Sequence, residues 1–252
     1  MIRLFEYFSL QTIQVGIGVL LGVIYSLPID SSLPIDSNPV NILPLGDSIT
    51  QGSYRQDSYR RPLWHLLQQQ GYTVNFVGSL ETNSGGASPN PDFDLDHEGR
   101  WGWRVDEILN GRAGQGRLTD WLQTYTPDIA LIHLGTNDIV HPNSLESTLD
   151  ELGQVIDVLR ADNPNVTILL AQLIPSRYPD VNQRIQALNA QMVNLATGKT
   201  QPSSPVQVVD HHSGFDNTTD TYDGVHPNQS GITKMAQVWA EALSPFLNQQ
   251  SP

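Results

Sequence analysis

Two segments, Asp128–Leu134 (DIALIHL) and Val166–Gln172 (VTILLAQ), are nearly unbroken apolar runs. A strand with one wet face alternates apolar and polar residues, so a short run without alternation reads as a strand covered on both faces. Asn41–Gly46, Thr73–Val77 and Val206–Asp210 are three further strand candidates. Between the strands lie segments of helical period, at Ser58–Gln70, Arg117–Thr124, Ser144–Ala161, Val181–Thr197 and Gln229–Asn248. Pro164 and Pro175 punctuate the joints. This alternation predicts an α/β fold, a parallel sheet with helices on both faces. In such sheets the ligand site lies beyond the carboxyl ends of the strands. Polar clusters stand there: Gly46-Asp47-Ser48 after the first strand and Gly135-Thr136-Asn137-Asp138 after the third.

Ester hydrolysis needs an exposed hydroxyl, a base to take its proton and a group to orient the base. It also needs donors waiting where an oxyanion will form. Ser48, in PLGDSITQG, follows a strand and opens a helical turn, which sets its own N–H toward the site. Of seven histidines, His226 in TYDGVHPN has a carboxylate three residues earlier, Asp223, and a proline directly after. Pro227 suits the first turn of the last helix. A three-residue offset can bring Asp223 back onto the imidazole and fix its tautomer, leaving the other nitrogen for Ser48.

PLGDSITQG, EGRWGWRVDEI, LGTND and DGVHP resemble the four signature blocks of the SGNH (GDSL-type) hydrolases, in order, over roughly residues 41–230. The resemblance implies Ser48 as nucleophile, and His226 as base with Asp223 as its partner. It also implies an oxyanion hole from Ser48, Gly102 and Asn137. The implied fold is a flavodoxin-like three-layer α/β/α sandwich around five parallel strands in the order 2-1-3-4-5. Gly102 has no β-carbon to keep a substrate oxygen from its N–H, and Asn137 offers a neutral side-chain donor. DHEGRWGW, YRRPLWHLL and NFVGS are closer still to carbohydrate O-acetylesterases such as acetyl xylan esterases. Those enzymes carry a small residue where this chain has Trp101. Trp101 and Trp103 flank Gly102, either as a wall for a sugar or as packing for the loop; packing is the expectation for Trp103.

The expected activity is therefore hydrolysis of short-chain acyl esters, acetyl above all, on carbohydrate through an acyl-enzyme. The alternatives are a lipid, aryl or thioester hydrolase of the same class, or a non-catalytic carbohydrate-binding protein reusing the fold. No cofactor or metal is implied. The expected partner is a small ester or acetylated carbohydrate. Nucleic acid is excluded by a formal charge of −13, from 26 acidic and 13 basic residues without a basic run. The absence of cysteine removes thiol nucleophiles and disulfides.

The first 37 residues differ in kind. Between Glu6 and Asp30 lie 23 uncharged residues, with an apolar centre at Val15–Tyr25. Residues 1–25 read as a secretory signal or short anchor, the bland alternative being a helix packed on the domain. Secretion, periplasmic residence or anchoring is the expected localisation, with membrane contact through this segment alone. Residues 26–37 are a tandem SLPIDS repeat, polar and proline-punctuated, and read as a linker. The hydrolase domain is expected over residues 38–252.

Several residues have bland readings. Asp47 and Asp138 are expected to tie down loops. His133, inside an apolar strand, reads as a satisfied core histidine. Asp92, Asp94, Asp96 and Glu98 alternate in PDFDLDHEG, where a cation is conceivable, but a calcium-loop register fails because the sixth position from Asp92 is His97. Gly198-Lys199-Thr200 lacks the rest of a phosphate loop, and His211-His212 lacks a third ligand.

Overall fold

The computed structural model describes residues 38–112, 114–141 and 144–248. The signal-like segment and the SLPIDS linker lie outside the described residues. The strands are β1 (Val40–Gly46), β2 (Val74–Phe76), β3 (Glu98–Gly99), β4 (Ile129–His133), β5 (Thr167–Ala171) and β6 (Val206–Val209). The helices before β4 are α1 (Ser48–Gln51), α2 (Arg60–Gln69), α3 (Val105–Asn110) and α4 (Leu118–Trp121). Those after it are α5 (Thr136–Val140), α6 (Leu145–Asp162), α7 (Pro179–Lys199) and α8 (Gln229–Leu247).

All strand pairs are parallel, in the order β2-β1-β4-β5-β6 with β3 paired to β1. With the two-residue β3 set aside, this is the expected 2-1-3-4-5 arrangement. β3, α3 and α5 are not among the sequence candidates, since two paired residues leave no period and each of these helices spans less than two turns. Alternate residues of the strands feed two cores. Val40 and Ile42 face α2 and α8, with Tyr59, Leu63 and Trp239. Leu43 and Leu45 face α3, α4, α6 and α7, with Ile108, Ile156 and Leu188. Double coverage explains why β4 is buried throughout.

Pro44 sits in an interior strand, where a missing N–H ordinarily costs a ladder bond. Here it costs none. Ile42 and Gly46 bond to the β2/β3 side, where their carbonyls accept from Val77 and Arg100 N–H. Pro44 shares that side, and it falls between the last β2 partner, at Ile42, and the first β3 partner, at Leu45.

At the carboxyl end of β1 the chain turns sharply into α1. A β-carbon on Gly46 would overlap Thr50 Oγ1 and the His133 carbonyl, so only glycine lets α1 fold back this closely. Arg60, at the start of α2, grips the far end of that turn. It is 1% exposed. Its Nε donates to the Thr50 carbonyl (2.9 Å), its Nη2 to the Gln51 carbonyl (3.0 Å) and Asn83 Oδ1 (2.9 Å), and its Nη1 to the Leu95 carbonyl (2.7 Å). Burial pulls the guanidinium down to about 10, which leaves it charged at neutral pH. One cation thus satisfies the last carbonyls of α1 and ties them to the loop before β3. The adjacent Arg61 instead makes an exposed bidentate pair with Asp92 (2.6 and 2.7 Å).

Asp138 in α5 is fully buried, and both its oxygens accept from Val105 N–H at the start of α3 (3.3 and 3.2 Å). Asp106 and Glu151 bring their carboxylates within 4.8 Å of it. Burial, with the charges of Glu151 and Asp106 adding to it, pushes Asp138 up to about 6.

Two outcomes follow from these buried groups. Arg60→Met strips charged donors from three carbonyls at once and should cost about 3 kcal/mol, lowering Tm by roughly 6–12 °C. A Tm within about 2 °C of wild type, by calorimetry, would show that the clamp is dispensable. Asp138 has a folded pKa raised above its ordinary value, so it binds its proton more tightly in the folded state. Its stabilising contribution is complete below about pH 4 and is lost as pH rises through about 6. The Asp138→Asn variant lacks that slope. Between pH 5 and pH 7 the wild type should lose about 1 kcal/mol relative to the variant, and a pH-independent difference in Tm would contradict this.

Candidate active site

The expected site residues stand on four segments, which follow β1, β3, β4 and β6 at the carboxyl edge of the sheet. Ser48 opens α1, directly after β1, and is 7% exposed. Asp47 caps this helix, its Oδ1 accepting from Ile49 N–H at 2.9 Å, so it braces the turn as its bland reading holds. The loop from Asp220 to Asn228 carries the histidine. Asn228 caps α8 by accepting from Ser230 and Gly231 N–H. Pro227 stands outside that cap and not in the helix's first turn as expected; it closes a bridge with Thr221. The two loops are joined by Gln56 Nε2, which donates to the Pro227 carbonyl at 2.8 Å.

The structure brings Ser48, His226 and Asp223 into one chain of hydrogen bonds. Ser48 Oγ lies 2.9 Å from His226 Nε2. His226 Nδ1 lies 2.7 Å from Asp223 Oδ2. The other Asp223 oxygen accepts from the N–H groups of His226 (2.7 Å) and Val225 (2.9 Å). Burial alone would raise the Asp223 pKa. The hydrogen bonds from His226 and Val225 outweigh it and hold the carboxyl below its ordinary range. An ionised carboxylate only accepts, so Nδ1 carries the imidazole's proton and the Nε2 lone pair faces the serine hydroxyl. The arrangement can therefore move the Ser48 proton onto His226.

The three expected oxyanion donors lie on adjoining turns. The N–H groups of Ser48 and Gly102 have no hydrogen-bond partner among the described residues. Gly102 sits at φ 75° in open space, so a side chain there meets backbone strain and not a clash. Asn137, near the start of α5, donates from Nδ2 to the Trp103 carbonyl at 2.8 Å, which fixes the amide against the Gly102 turn and leaves its second hydrogen free. Trp101 N–H donates to Gln51 Oε1 at 2.8 Å, which ties that turn to α1.

Trp103 is buried at 4% and packs near Trp121 and Arg100. Trp101 is 40% exposed and stacks on His226, with ring centroids 4.8 Å apart and planes 13° apart. Tyr222 also lies parallel to the imidazole, at 5.6 Å and 11°. Sequence reasoning missed Tyr222, Gln51, Gln56 and Arg60. The TYDGVHPN block contains Tyr222, but no spacing rule marks it.

Three of the four acidic residues in the Asp92–Glu98 segment are spent on separate partners. Asp92 pairs with Arg61 and Asp94 accepts from Phe76 N–H. Glu98 forms a buried pair with Arg100 at 2.7 Å and accepts from Ser79 N–H and Tyr125 Oη. Burial first, then the neighbouring charges of Asp94 and Glu81, push Asp96 up to about 6. His133 is buried as expected, but it is not satisfied: neither ring nitrogen has a partner among the described residues. Burial lowers its pKa and keeps it neutral.

Comparison with known proteins gives the family. Residues 45–233 match the GDSL-like Lipase/Acylhydrolase family. A multidomain esterase of Ruminococcus flavefaciens is 31% identical over 253 residues, covering 93% of this chain and 33% of that protein. This chain thus spans about a third of that relative. A family 3 carbohydrate esterase of Clostridium thermocellum superposes with a TM-score of 0.72 at 30% identity, covering 85% of this chain and all of that one (100%). An acetyl esterase mutant crystallised with acetate ion superposes at 0.71, also at 30% identity, covering 84% of this chain and 100% of its own. The ordered blocks, the parallel sheet and these likenesses place the chain in the GDSL-like lipase/acylhydrolase family.

Proposed function

We propose that this chain is a serine esterase that removes acetyl groups from carbohydrate through an acyl-enzyme. The observation that carries the reading is the hydrogen-bonded chain Ser48–His226–Asp223, at 2.9 and 2.7 Å. Ser48 Oγ attacks the ester carbonyl while His226 Nε2 takes its proton. Asp223 holds the ring in the productive tautomer and offsets the charge that forms on it. Negative charge on the carbonyl oxygen is met by the N–H groups of Ser48 and Gly102 and by the Asn137 amide. The ester C–O bond then breaks, and the leaving oxygen collects the proton from Nε2. Water repeats the sequence to release acetate and restore Ser48.

A short acyl group is favoured by the pocket that opens on Ser48. As a cavity it measures about 20 Å³, room for about one methyl-sized group. Carbohydrate is favoured by the likeness to carbohydrate esterases of known structure and by the exposed aromatic rings beside His226. The acidic surface suits an uncharged polymer. No helix among the described residues is long and apolar enough to cross a membrane. Residues 1–25 are assigned to export or anchoring, which N-terminal sequencing of the protein recovered from culture medium and membranes tests directly.

Ser48→Ala and His226→Ala should each lower kcat on an acetate ester about 10⁴-fold or more, and the double variant should lose little beyond either single one, because the pair acts as a unit. Multiplicative losses in the double variant would break that unit. Asn137→Ala should lower kcat about 10²–10³-fold, and a change confined to KM would remove it from the oxyanion hole. Across a series of acyl chain lengths, kcat/KM should be highest for acetyl; a maximum at long chains would overturn the acetyl reading.

A further inference from the structure

We infer that Trp101 and Tyr222, the aromatic rings that line the pocket beside His226, form the leaving-group subsite of this enzyme and contact the sugar ring carrying the scissile acetyl ester. The inference rests on the esterase reading above and adds which residues recognise the alcohol.

Proton transfer fixes where the alcohol must sit. The departing oxygen must come within hydrogen-bonding reach of His226 Nε2, about 3 Å, to collect its proton. Whatever carries that oxygen is therefore held beside the imidazole at that moment. The rings flanking the imidazole are Trp101 at 4.8 Å and Tyr222 at 5.6 Å, both within 13° of its plane. Both are open to solvent, at 40% and 53% exposure. A pyranose has an apolar C–H face that matches an aromatic face, and hydroxyls around its edge that stay in water.

The exposure is selective. Trp103, Trp121 and Trp239 are buried in the cores, whereas Trp101 is held at the rim. The described residues with large exposed aromatic rings are Tyr54, Trp101, Tyr178 and Tyr222. Tyr178 joins the same rim, its hydroxyl 3.4 Å from the Asp223 carbonyl. Exposed apolar surface gathered at one place marks contact with a partner. Trp101 is also fixed before substrate arrives. Its N–H is bonded to Gln51 of α1, and its ring lies against His226, so ordering it on binding costs little.

The sugar leaves when the acyl-enzyme forms, so a leaving-group subsite affects acylation and not the hydrolysis of the acyl-enzyme. This gives a test. Steady-state kinetics are measured on acetylated xylobiose and on methyl acetate, whose alcohol is too small to reach either ring. Trp101→Ser, and separately Tyr222→Ser, should lower kcat/KM on acetylated xylobiose about tenfold more than on methyl acetate. Trp101→Phe should recover most of the loss. Equal losses on the two esters would overturn the subsite and make the indole a support for the imidazole; no loss on either would also overturn it. Wild-type enzyme that turns over methyl acetate but not acetylated xylobiose would defeat the carbohydrate reading itself, and this control arm tells that failure from failure of the subsite.

Discussion

Ser48 and His226 are separated by 178 positions in the chain and by 2.9 Å in space. That contact depends on the parallel sheet, because parallel strands deliver every following loop to the same edge. β1 releases Ser48 there, and the chain returns after β6 with Asp223 and His226 before α8 closes the far face. The sheet sets the neighbourhood, and polar contacts between the loops set the distance. Gln56 spans from the Ser48 side to Pro227, and Gln51 spans from α1 to the Trp101–Gly102 turn. Near-attack geometry tolerates little error, so under the proposed chemistry these side chains position the reacting groups.

The charged groups behind the site follow one logic. Arg60 and Glu98 each carry several partners, because burying a charge without them costs several kcal/mol. Arg60 spends its donors on four oxygens of the α1 turn and the loop before β3, with Ser58 Oγ sharing its Nε. Glu98 accepts from Arg100, Tyr125 and Ser79. The Arg100 guanidinium, also buried, lies 3.7 Å above the Trp121 ring. This polar scaffold sits beneath the Ser48 and Gly102 turns and holds them in one arrangement.

The sequence made the sheet legible because doubly covered strands such as Ile129–His133 cannot hide their apolar runs. Ser48, Asp223 and His226 are legible because each stands in a short block whose spacing has a chemical reason, as with the three-residue step from Asp223 to His226. Other features left no such mark. Arg60 and Arg61 are adjacent and chemically identical, and only the fold decides that one is a buried clamp and the other a surface partner of Asp92. Trp101 and Trp103 flank one glycine, yet the turn sends one ring to the rim and the other into the core. Pro227 looked like a helix-opening proline, but the Asn228 side chain caps α8 one residue later. His133 sits in its strand as expected, but without the partners that a buried imidazole ordinarily finds. These outcomes are set by tertiary packing, which spacing along the chain does not encode.

The central claim is covalent chemistry at one oxygen. Mixing the protein with excess acetyl ester, quenching in acid within the first turnovers and mapping the peptides by mass spectrometry tests it directly. The account predicts one added acetyl group on the peptide containing Ser48, localised to that serine and discharged by water on a longer incubation. Turnover without any acetylated serine, or with acetyl carried on a different side chain, would contradict it.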